Sequence, residues 1–376
     1  MTEIYLIRHA QAEGNRFRVM QGHWDGGVTE LGRRQIALLE ERLRDLSFDA
    51  VYASDLYRAM LTASAVYKPR GLRLCAEPAL REINVGPWET KFFGNVFHDE
   101  PESAELFLND PARWIHEGAE TYGQVTERAY AALEEIARRH QGGRVAVVSH
   151  GVTIRCLLAK LTGVPLRDKL RLPIVQNTSV TVLRRDAEGW ALGLLNDASH
   201  LAPLGQPAWG GTPTLRHEAL DPRLDRDFYC DCYRDAWFAA HGNLQGFRPE
   251  PYWEAACAHL RVDPQSVLRL LDGDRPVGLV DLDPLRATEE GCGWLSLLYL
   301  RPEARGRGCG IQALARAIVH FRDLGRSGLR LLAAEDNAAA LRFYEREGFR
   351  PLGWEEGATG RLLLLERHLT ERRDDL

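Results

Sequence analysis

The chain has 376 residues, of which 45% are hydrophobic and 27% are charged, and its formal net charge is −5. This length exceeds that of one average domain, so we expect two domains. Neither half carries an excess of basic residues, which argues against a nucleic-acid-binding or membrane-binding module and favours chemistry on small molecules.

The N-terminal sequence MTEIYLIRHA lacks the basic and apolar regions of a signal peptide. No stretch reaches the ~20 apolar residues that a membrane-spanning helix needs. We therefore expect a cytoplasmic protein without a membrane partner. The seven cysteines include no CxxC pair, which favours reduced thiols over disulfides and predicts no metal site.

In the first half of the chain, predicted strands alternate with helices. Strands are expected at 4–7, 49–53, 72–76 and 144–149, helices at 30–46, 122–140 and 151–161, and a strand pair at 179–184 and 190–195. Thr29 and Ser54 are the expected N-caps of two helices, the second of which carries Arg58. A long irregular excursion from about 82 to 119 is of the kind that often covers a site. The alternation predicts an α/β fold with a mainly parallel sheet between helices.

The segment LAPLGQPAWGGTP at 201–213 interrupts this pattern and predicts a linker. We accordingly expect domains at 1–203 and 213–376, joined by a linker at 204–212. The second domain is predicted to be mixed α/β. Its expected strands are near 215–219, 266–271, 277–282, 294–300, 329–333 and 361–366, and its expected helices are at 224–241, 252–260, 311–324 and 338–347.

The chemistry of the first half centres on two histidines that each follow an apolar strand, His9 and His150. Side chains at the carboxyl ends of parallel strands share one edge of a sheet, where α/β proteins keep their sites. A neutral imidazole such as His9 can attack phosphorus when arginines balance the phosphoryl charge, and Arg8 and Arg58 can do so. Glu82 is the expected proton donor to the leaving group. Two other carboxylates, Glu89 and Asp25, are alternatives for that role.

A series of motifs in the first half occurs in a fixed order. They are Arg8-His9, Asn15, Gln21-Gly22, Thr29-Glu30-Leu31-Gly32 with Gln35, Ser54-Asp55-Leu56-Tyr57-Arg58-Ala59, Glu82 with Gly86 and Trp88-Glu89, and Ser149-His150-Gly151. Over about residues 1–200 the chain thereby resembles the histidine phosphatase superfamily, also called phosphoglycerate-mutase-like proteins. The resemblance implies a three-layer domain, a phosphohistidine at His9, proton donation by Glu82 and no cofactor. The phosphate-binding residues that it implies are Arg8, Asn15, Gln21, Arg58 and His150.

Three positions depart from this family pattern. The usual glycine after the histidine is Ala10, the usual threonine two residues further is Ala12, and the glycine that commonly follows Trp-Glu is Thr90. Loss of the threonine hydroxyl is expected to remove one hydrogen bond to phosphate. His23 and His98 are interpreted as surface residues.

In the second half, a predicted strand runs into the glycine-rich segment Arg305-Gly306-Arg307-Gly308-Cys309-Gly310, which a helix follows. Glycines let backbone N–H groups approach a pyrophosphate, and a helix N-terminus adds partial positive charge. Together with Asn337-Ala338-Ala339-Ala340-Leu341-Arg342-Phe343-Tyr344, this segment resembles the GNAT family of acetyl-coenzyme A-dependent N-acetyltransferases over about residues 213–368.

The GNAT resemblance implies that Tyr344 protonates the departing thiolate of acetyl-CoA. The cofactor-binding residues that it implies are Leu298, Leu300, Arg305, Gly306, Arg307, Gly308, Cys309, Gly310, Asn337 and Tyr344. Acetyl transfer also needs a base for the amine, and the sequence does not choose among Asp281, Asp283, Glu290 and Glu335. Five aromatic residues are interpreted as core rather than pocket residues: Tyr229, Tyr233, Trp237, Phe247 and Trp253.

Three functional hypotheses follow. The leading one is a bifunctional enzyme that hydrolyses a small phosphomonoester and acetylates a small amine with acetyl-CoA. The second is a phosphoglycerate-type mutase, in which the phosphohistidine returns its phosphoryl group to a sugar acid. The third is a phosphatase with a non-catalytic, acetyl-CoA-sensing module. The sequence does not determine the oligomeric state.

Overall fold

The computed structural model describes residues 1–166, 168, 172–205, 213–357 and 360–369. The chain forms two compact units. The first holds Met1–Lys91 and the chain from Val96 to the predicted linker, and the second holds Phe92–Asn95 and the chain after that linker. The predicted linker lies outside the described residues from 206 onward, so the domain boundaries stay predictions.

The sheet of the first unit has six strands. They are β1 (Thr2–Arg8), β2 (Ala50–Ala53), β3 (Leu74–Ala76), β4 (Arg144–Ser149), β5 (Val180–Arg185) and β6 (Trp190–Asp197), in the order β3-β2-β4-β1-β5-β6. The first four in this order are mutually parallel, and β5 and β6 add an antiparallel edge. The expected mainly parallel sheet is confirmed.

Helices cover both faces of this sheet. The helices in this part of the chain are α1 (Glu13–Phe17), α2 (Glu30–Leu43), α3 (Tyr57–Arg70), α4 (Phe93–Asp99), α5 (Pro101–Asn109), α6 (Tyr122–Arg139) and α7 (Gly151–Thr162). Buried apolar side chains of α2 and α3 form a core on one face, and those of α6 and α7 form a core on the other. Each fully buried leucine or isoleucine contributes about 1.5–3 kcal/mol, so the two faces hold the helices in place. The three-layer architecture is thereby confirmed.

Two local expectations were wrong. Ser54 does not cap α3, because Leu56 is the N-cap residue; instead Asp25 Oδ1 accepts a hydrogen bond from the Tyr57 amide at 2.8 Å. The excursion between β3 and α6 is not irregular throughout, because it contains α4 and α5. Within it, the buried rings of Trp88 and Trp114 pack at 5.4 Å between centroids.

The sheet of the second unit has seven strands. They are β7 (Arg216–Ala219), β8 (Val267–Asp272), β9 (Arg275–Asp283), β10 (Cys292–Leu300), β11 (Gly328–Ala334), β12 (Arg350–Glu356) and β13 (Arg361–His368), in the order β12-β13-β11-β10-β9-β8-β7. Its helices are α8 (Arg226–His241), α9 (Pro249–Val262), α10 (Cys309–Asp323) and α11 (Ala338–Arg346). β10 and β11 are parallel, whereas the other neighbours are antiparallel, so the predicted mixed α/β fold is confirmed.

No helix in the described part of the chain has the length and apolar character needed to cross a membrane.

Candidate active sites

The sheet register brings His9 and His150 together. β1 and β4 are parallel neighbours in which Arg8 lies opposite Ser149, so each histidine is the next residue beyond the paired strands. Their ring centroids are 5.0 Å apart, and both side chains are buried. The predicted juxtaposition at the carboxyl edge is therefore present.

His9 has the geometry of a nucleophile. Its Nδ1 atom lies 2.7 Å from the carbonyl oxygen of Ala10, which can only accept a hydrogen bond, so the proton is on Nδ1 and the lone pair is on Nε2. Burial lowers the pKa of His9 well below its usual 6.5, and the nearby charges of Arg58 and Arg8 lower it further. The imidazole is thus neutral at neutral pH, as attack on phosphorus requires.

Arg58 is held inside the site by the loop that precedes it in sequence. Its terminal nitrogens donate to the carbonyl oxygens of Gly22, at 2.7 Å, and Trp24, at 2.9 Å. Burial lowers the pKa of Arg58 to about 10, which leaves the guanidinium charged at neutral pH. Arg8 reaches the carbonyl oxygen of Val175 with one terminal nitrogen.

Several polar nitrogens around His9 are buried without a hydrogen-bond partner among the described residues. They are Arg8 Nε, Gln21 Nε2, Arg58 Nε and both ring nitrogens of His150. A buried donor without a partner costs about 1–3 kcal/mol, so a cluster of them in one place points to a missing ligand. Two guanidinium groups in this cluster suit an anion with several acceptor oxygens, such as a phosphoryl group.

Glu82 lies at the N-terminus of α7, directly beyond His150. Its carboxylate accepts hydrogen bonds from the amides of Val152 and Thr153, each at 3.1 Å, and from the amide of Ile83 at 3.0 Å. Oε1 takes the amides of Ile83 and Thr153, whereas Oε2 takes the Val152 amide; the Thr153 hydroxyl donates to the Arg81 carbonyl at 2.8 Å. Oε2 therefore accepts fewer hydrogen bonds from the protein than Oε1.

The two alternative carboxylates have other partners. Glu89 accepts hydrogen bonds from the amides of Gly22, His23 and Trp24 at 3.2, 2.7 and 2.9 Å. Asp25 caps α3 as described above. Glu89 therefore supports the loop that holds Arg58, and Asp25 holds the first turn of the helix that carries Arg58, which favours Glu82 for the acid role.

Two asparagines, Asn15 and Asn177, form hydrogen bonds in the loops around His9, and the sequence singled out only Asn15. Asn15 Oδ1 accepts from the Ala12 amide at 3.0 Å, so this group helps to fix the loop. Asn177, which was missed, donates to the His9 carbonyl at 2.8 Å. It lies just before β5, outside every recognised motif, so only the sheet pairing reveals it. His98 is exposed as expected, but His23 is partly buried and donates to the Glu82 carbonyl at 3.0 Å.

In the second unit, β10 and β11 separate partway along their length. They pair from Cys292 to Leu295 on β10, yet β10 continues to Leu300 and β11 continues to Ala334. The register of β10 against β9 also shifts between Leu295 and Leu297. Among the described residues, no strand pairs with the side of β10 that faces β11 along the stretch that contains Leu298 and Leu300, and an extended ligand chain can take a strand's place there.

The glycine-rich loop follows β10 immediately. Gly306 and Gly308 have φ values of 72° and 79°, a left-handed conformation that favours glycine, and Gly308 is the N-cap residue of α10. The first amides of a helix have no intrahelical acceptor, so Cys309 and Gly310 present free N–H groups at this end. Arg305 is exposed and donates from Nε to the Leu300 carbonyl at 2.9 Å.

Asn337 and Tyr344 both belong to the helix that follows β11. Asn337 Oδ1 caps α11 by accepting from the Ala340 amide at 3.1 Å. Tyr344 is buried between the rings of Phe343 and Phe349, each with its centroid 5.3 Å away, and this burial raises the pKa of its hydroxyl. The phenol therefore carries its proton at neutral pH.

A cavity of about 450 Å³ lies beside the separated strands, and two of the four candidate bases line it. These are Asp281 and Asp283, whereas Glu290 forms an ion pair with Arg330 and Glu335 forms one with Arg361. Tyr229 and Trp253 belong to an apolar core cluster, as expected. However, Tyr229, Tyr233 and Trp237 also line the cavity, which the sequence did not predict.

In the comparison with known proteins, the two units match two different families. Residues 4–198, just over half of the chain, match the family model described as histidine phosphatase superfamily (branch 1). The chain belongs to the histidine phosphatase superfamily. Residues 226–349 match the model described as acetyltransferase (GNAT) family, so the same chain also carries a GNAT domain. GNAT proteins use acetyl-CoA.

Relatives of the histidine phosphatase domain span about half of the chain. One is a protein named probable phosphoglycerate mutase GpmB from Yersinia pestis, 32% identical over 208 residues, which are 54% of this chain and 95% of the relative. The structure of YhfR from Bacillus stearothermophilus is 32% identical with a TM-score of 0.52, and covers 54% of this chain and 100% of its own. A mycobacterial glucosyl-3-phosphoglycerate phosphatase complexed with VO3 is 28% identical with a TM-score of 0.49, and covers 52% and 99%.

The structure describes the surroundings of the three positions that depart from the histidine phosphatase pattern. Thr90 has a φ of +64°, so it adopts the backbone conformation that the family's glycine prefers. Ala10 and Ala12 are fully buried, and the Ala10 amide donates to the Thr62 hydroxyl at 2.8 Å.

Proposed function

We propose that the first domain hydrolyses phosphomonoesters of small metabolites through a phosphohistidine at His9. The observation that carries this proposal is the set of buried nitrogens around a neutral imidazole that have no hydrogen-bond partner in the described part of the chain. Such a set is costly without a ligand and is neutralised by a phosphoryl group.

In this proposed reaction, each residue of the site has a separate role. His9 Nε2 attacks phosphorus, and the bond from phosphorus to the ester oxygen breaks as that oxygen takes a proton from Glu82. Arg8, Arg58 and an N–H of His150 balance the negative charge of the phosphoryl oxygens throughout. The Glu82 carboxylate then takes a proton from water as the water oxygen attacks the phosphohistidine, which releases inorganic phosphate and restores His9.

Phosphate release from a panel of phosphorylated metabolites tests this proposal. The His9→Ala variant is expected to lose activity by at least about a thousandfold, because the covalent step has no other acceptor. His98→Ala, at an exposed position, serves as the matched control and should keep the wild-type rate. An unchanged rate in His9→Ala would exclude the phosphohistidine mechanism.

The relative named probable phosphoglycerate mutase favours a second candidate. In a mutase, the phosphoryl group on His9 passes to a hydroxyl of a sugar acid instead of water. Incubation with 3-phosphoglycerate separates the two reactions. Interconversion of phosphoglycerates without inorganic phosphate would indicate the mutase, whereas phosphate release would indicate hydrolysis.

For the second domain, we propose N-acetylation of a small amine by acetyl-CoA. The separation of β10 from β11 and the left-handed glycines before α10 support cofactor binding, since they leave backbone groups available to a pantetheine arm and a pyrophosphate. Bound acetyl-CoA supplies an activated acetyl group. The backbone of Leu298 and Leu300 and the loop amides from Arg305 to Gly310 would hold it, with Asn337 beside them.

Tyr344 is proposed as the acid that protonates the leaving thiolate. Tyr344→Phe should lower the rate of acetyl transfer by about 10–100-fold, because the acid is lost. Acetyl-CoA binding, measured by calorimetry, should be unchanged. An unaltered rate would remove Tyr344 from this role, and acetyl-CoA binding without transfer to any amine would indicate the sensing module instead.

A further inference from the structure

The cavity of the second unit is continuous with the point at which β10 and β11 separate. Leu295, Ser296 and Leu297 of β10 and Leu332 of β11 line it. Its other lining residues include five large aromatic side chains: Tyr229, Tyr233, Trp237, Tyr252 and Trp294. A molecule in this cavity would thus lie between aromatic rings and the strand edge assigned to the cofactor.

A histidine that no motif covers lines the same cavity. His259 of α9 has its Nδ1 atom 2.7 Å from Asp281 Oδ1, so the Nδ1 proton is donated to the carboxylate. The second carboxylate oxygen, Asp281 Oδ2, accepts the Tyr229 hydroxyl at 2.7 Å. Asp281 is almost fully buried, so these two hydrogen bonds satisfy it and fix the orientation of the imidazole.

The other ring nitrogen of His259 is directed toward a second carboxylate. Nε2 lies 3.5 Å from Asp283 Oδ2, which is longer than an ordinary N–H···O hydrogen bond. Asp283 is held in place by the amides of Leu285 and Arg286, which donate to its Oδ1 at 2.9 and 3.0 Å. His259 and Asp283 both line the cavity, so a ligand's N–H groups can reach both atoms.

We propose that His259 is the general base that deprotonates the acceptor amine, and that this acceptor is a primary amine with an aromatic or apolar body. The proposal rests on the acetyl transfer proposed above. Asp283 would bind the incoming ammonium group, the aromatic rings would attract both the cation and the body of the amine, and Asp281 and Tyr229 would be positioning residues.

The proton balance of this step is as follows. One N–H bond of the ammonium group breaks, its electron pair stays on the amine nitrogen, and the proton bonds to His259 Nε2. The neutral amine can then form the C–N bond as the C–S bond of the thioester breaks. The thiolate takes its proton from Tyr344, the second proton that leaves the amine nitrogen replaces that proton on Tyr344, and the imidazolium returns its proton to water.

Charged groups around His259 support this role. Burial lowers the pKa of His259, but the hydrogen bond and charge of Asp281 and the charge of Asp283 raise it by more, so the net pKa lies above the usual value. These two carboxylates come from β9, the Tyr229 hydroxyl comes from α8, and Arg286 lines the cavity beside them. The guanidinium of Arg286 lies over the Trp294 ring at 3.5 Å and near Glu355.

The first test follows the His259 imidazole by NMR in the full chain without acetyl-CoA, its signal assigned by comparison with His259→Gln. We expect an imidazole pKa above 6.5 that falls in Asp281→Asn. Adding 2-phenylethylamine should shift the imidazole signal, whereas 3-phenylpropionate, which has the same body and a carboxylate, should not. Absence of a shift with the amine would overturn the proposal.

The second test measures acetyl transfer to 2-phenylethylamine. His259→Gln should lower kcat by about 100–1,000-fold with the KM for acetyl-CoA unchanged, because only the proton acceptor is lost. The wild-type rate should level off above the pKa of the imidazole, whereas the variant's rate should keep rising with pH as the amine deprotonates in water. His368→Gln, at an exposed position on β13, should behave as wild type.

The outcomes separate this proposal from the function on which it rests. A His259→Gln variant with the wild-type rate and pH profile would overturn the base role while acetyl transfer stands. If the wild-type chain acetylates no amine at all, the proposed acetyl transfer fails and the base role fails with it. The amine site would still be supported in that case by the NMR shift with 2-phenylethylamine.

Discussion

At the scale of single residues, Thr90 has a strained backbone conformation close to the candidate active site of the first unit. It is a β-branched residue with a φ of +64°, a conformation in which most side chains are strained by about 1–3 kcal/mol. It directly follows Glu89, whose carboxylate holds the loop around Arg58. The strain therefore lies in a segment that positions Arg58, the proposed phosphate-binding residue.

Thr90→Gly should raise the free energy of unfolding by about 0.5–1 kcal/mol. The strain energy that glycine removes from the folded state is expected to exceed the free-energy cost of the conformational entropy that it adds to the unfolded chain. The measurement is the urea midpoint of the transition in which phosphate release is lost. Thr90→Ala, which keeps a Cβ atom, is the control and should gain less, and a glycine variant less stable than wild type would contradict the account.

Whether a site residue was predictable depends on its place relative to a recognisable strand or motif. His9 and His150 follow apolar runs, so their meeting at one sheet edge could be inferred from the sequence. Asn177 and His259 could not be found this way, because each acts through a contact with a residue distant in sequence: the His9 carbonyl for Asn177 and Asp281 for His259.

At the scale of elements, the loop from Gly22 to Trp24 connects the Glu89 carboxylate to the Arg58 guanidinium through hydrogen bonds. Its amides donate to Glu89, and two of its carbonyl oxygens accept from Arg58. The peptide group between Gly22 and His23 is used on both sides, since its N–H donates to Glu89 and its carbonyl accepts from Arg58. The orientation of Arg58 therefore depends on Glu89, which the sequence offered only as an alternative acid.

Glu89→Gln should lower kcat/KM for phosphate release by about 10–100-fold. The amide group can replace only one of the two acceptor oxygens, and a charge-assisted hydrogen bond contributes about 1.5–3 kcal/mol. Steady-state kinetics on the best substrate of the panel measures the effect. Glu188→Gln, in the exposed turn after β5, is the control, and a wild-type kcat/KM in Glu89→Gln would show that the loop holds Arg58 without it.

Elements themselves were predictable where hydrophobic periodicity is strong. The range 144–149 was predicted for β4 and is observed unchanged, because its apolar side chains are buried on both faces. β12 was missed because its sequence, RPLGWEE, contains proline, glycine and charges and is mostly exposed at the edge of the sheet.

At the scale of the whole molecule, the chain forms two compact units, and each of the two family matches falls largely within one of them. The alternation of strands and helices predicts a parallel sheet, but it does not predict that β4 is inserted between β2 and β1. That order depends on long-range pairing, and it is what places His150 beside His9. The chemistry proposed for the first unit therefore depends on a contact between residues more than a hundred positions apart in sequence.

The central claim is that His9 carries the phosphoryl group during turnover. The direct measurement is mass spectrometry of the enzyme after brief incubation with a substrate from the panel and denaturation in base, in which phosphohistidine survives. We expect one added phosphoryl group on the peptide that contains His9, and none on that peptide in His9→Ala. Phosphate release by an enzyme that never carries a phosphoryl group, or a phosphoryl group on His150 instead of His9, would contradict the phosphohistidine mechanism.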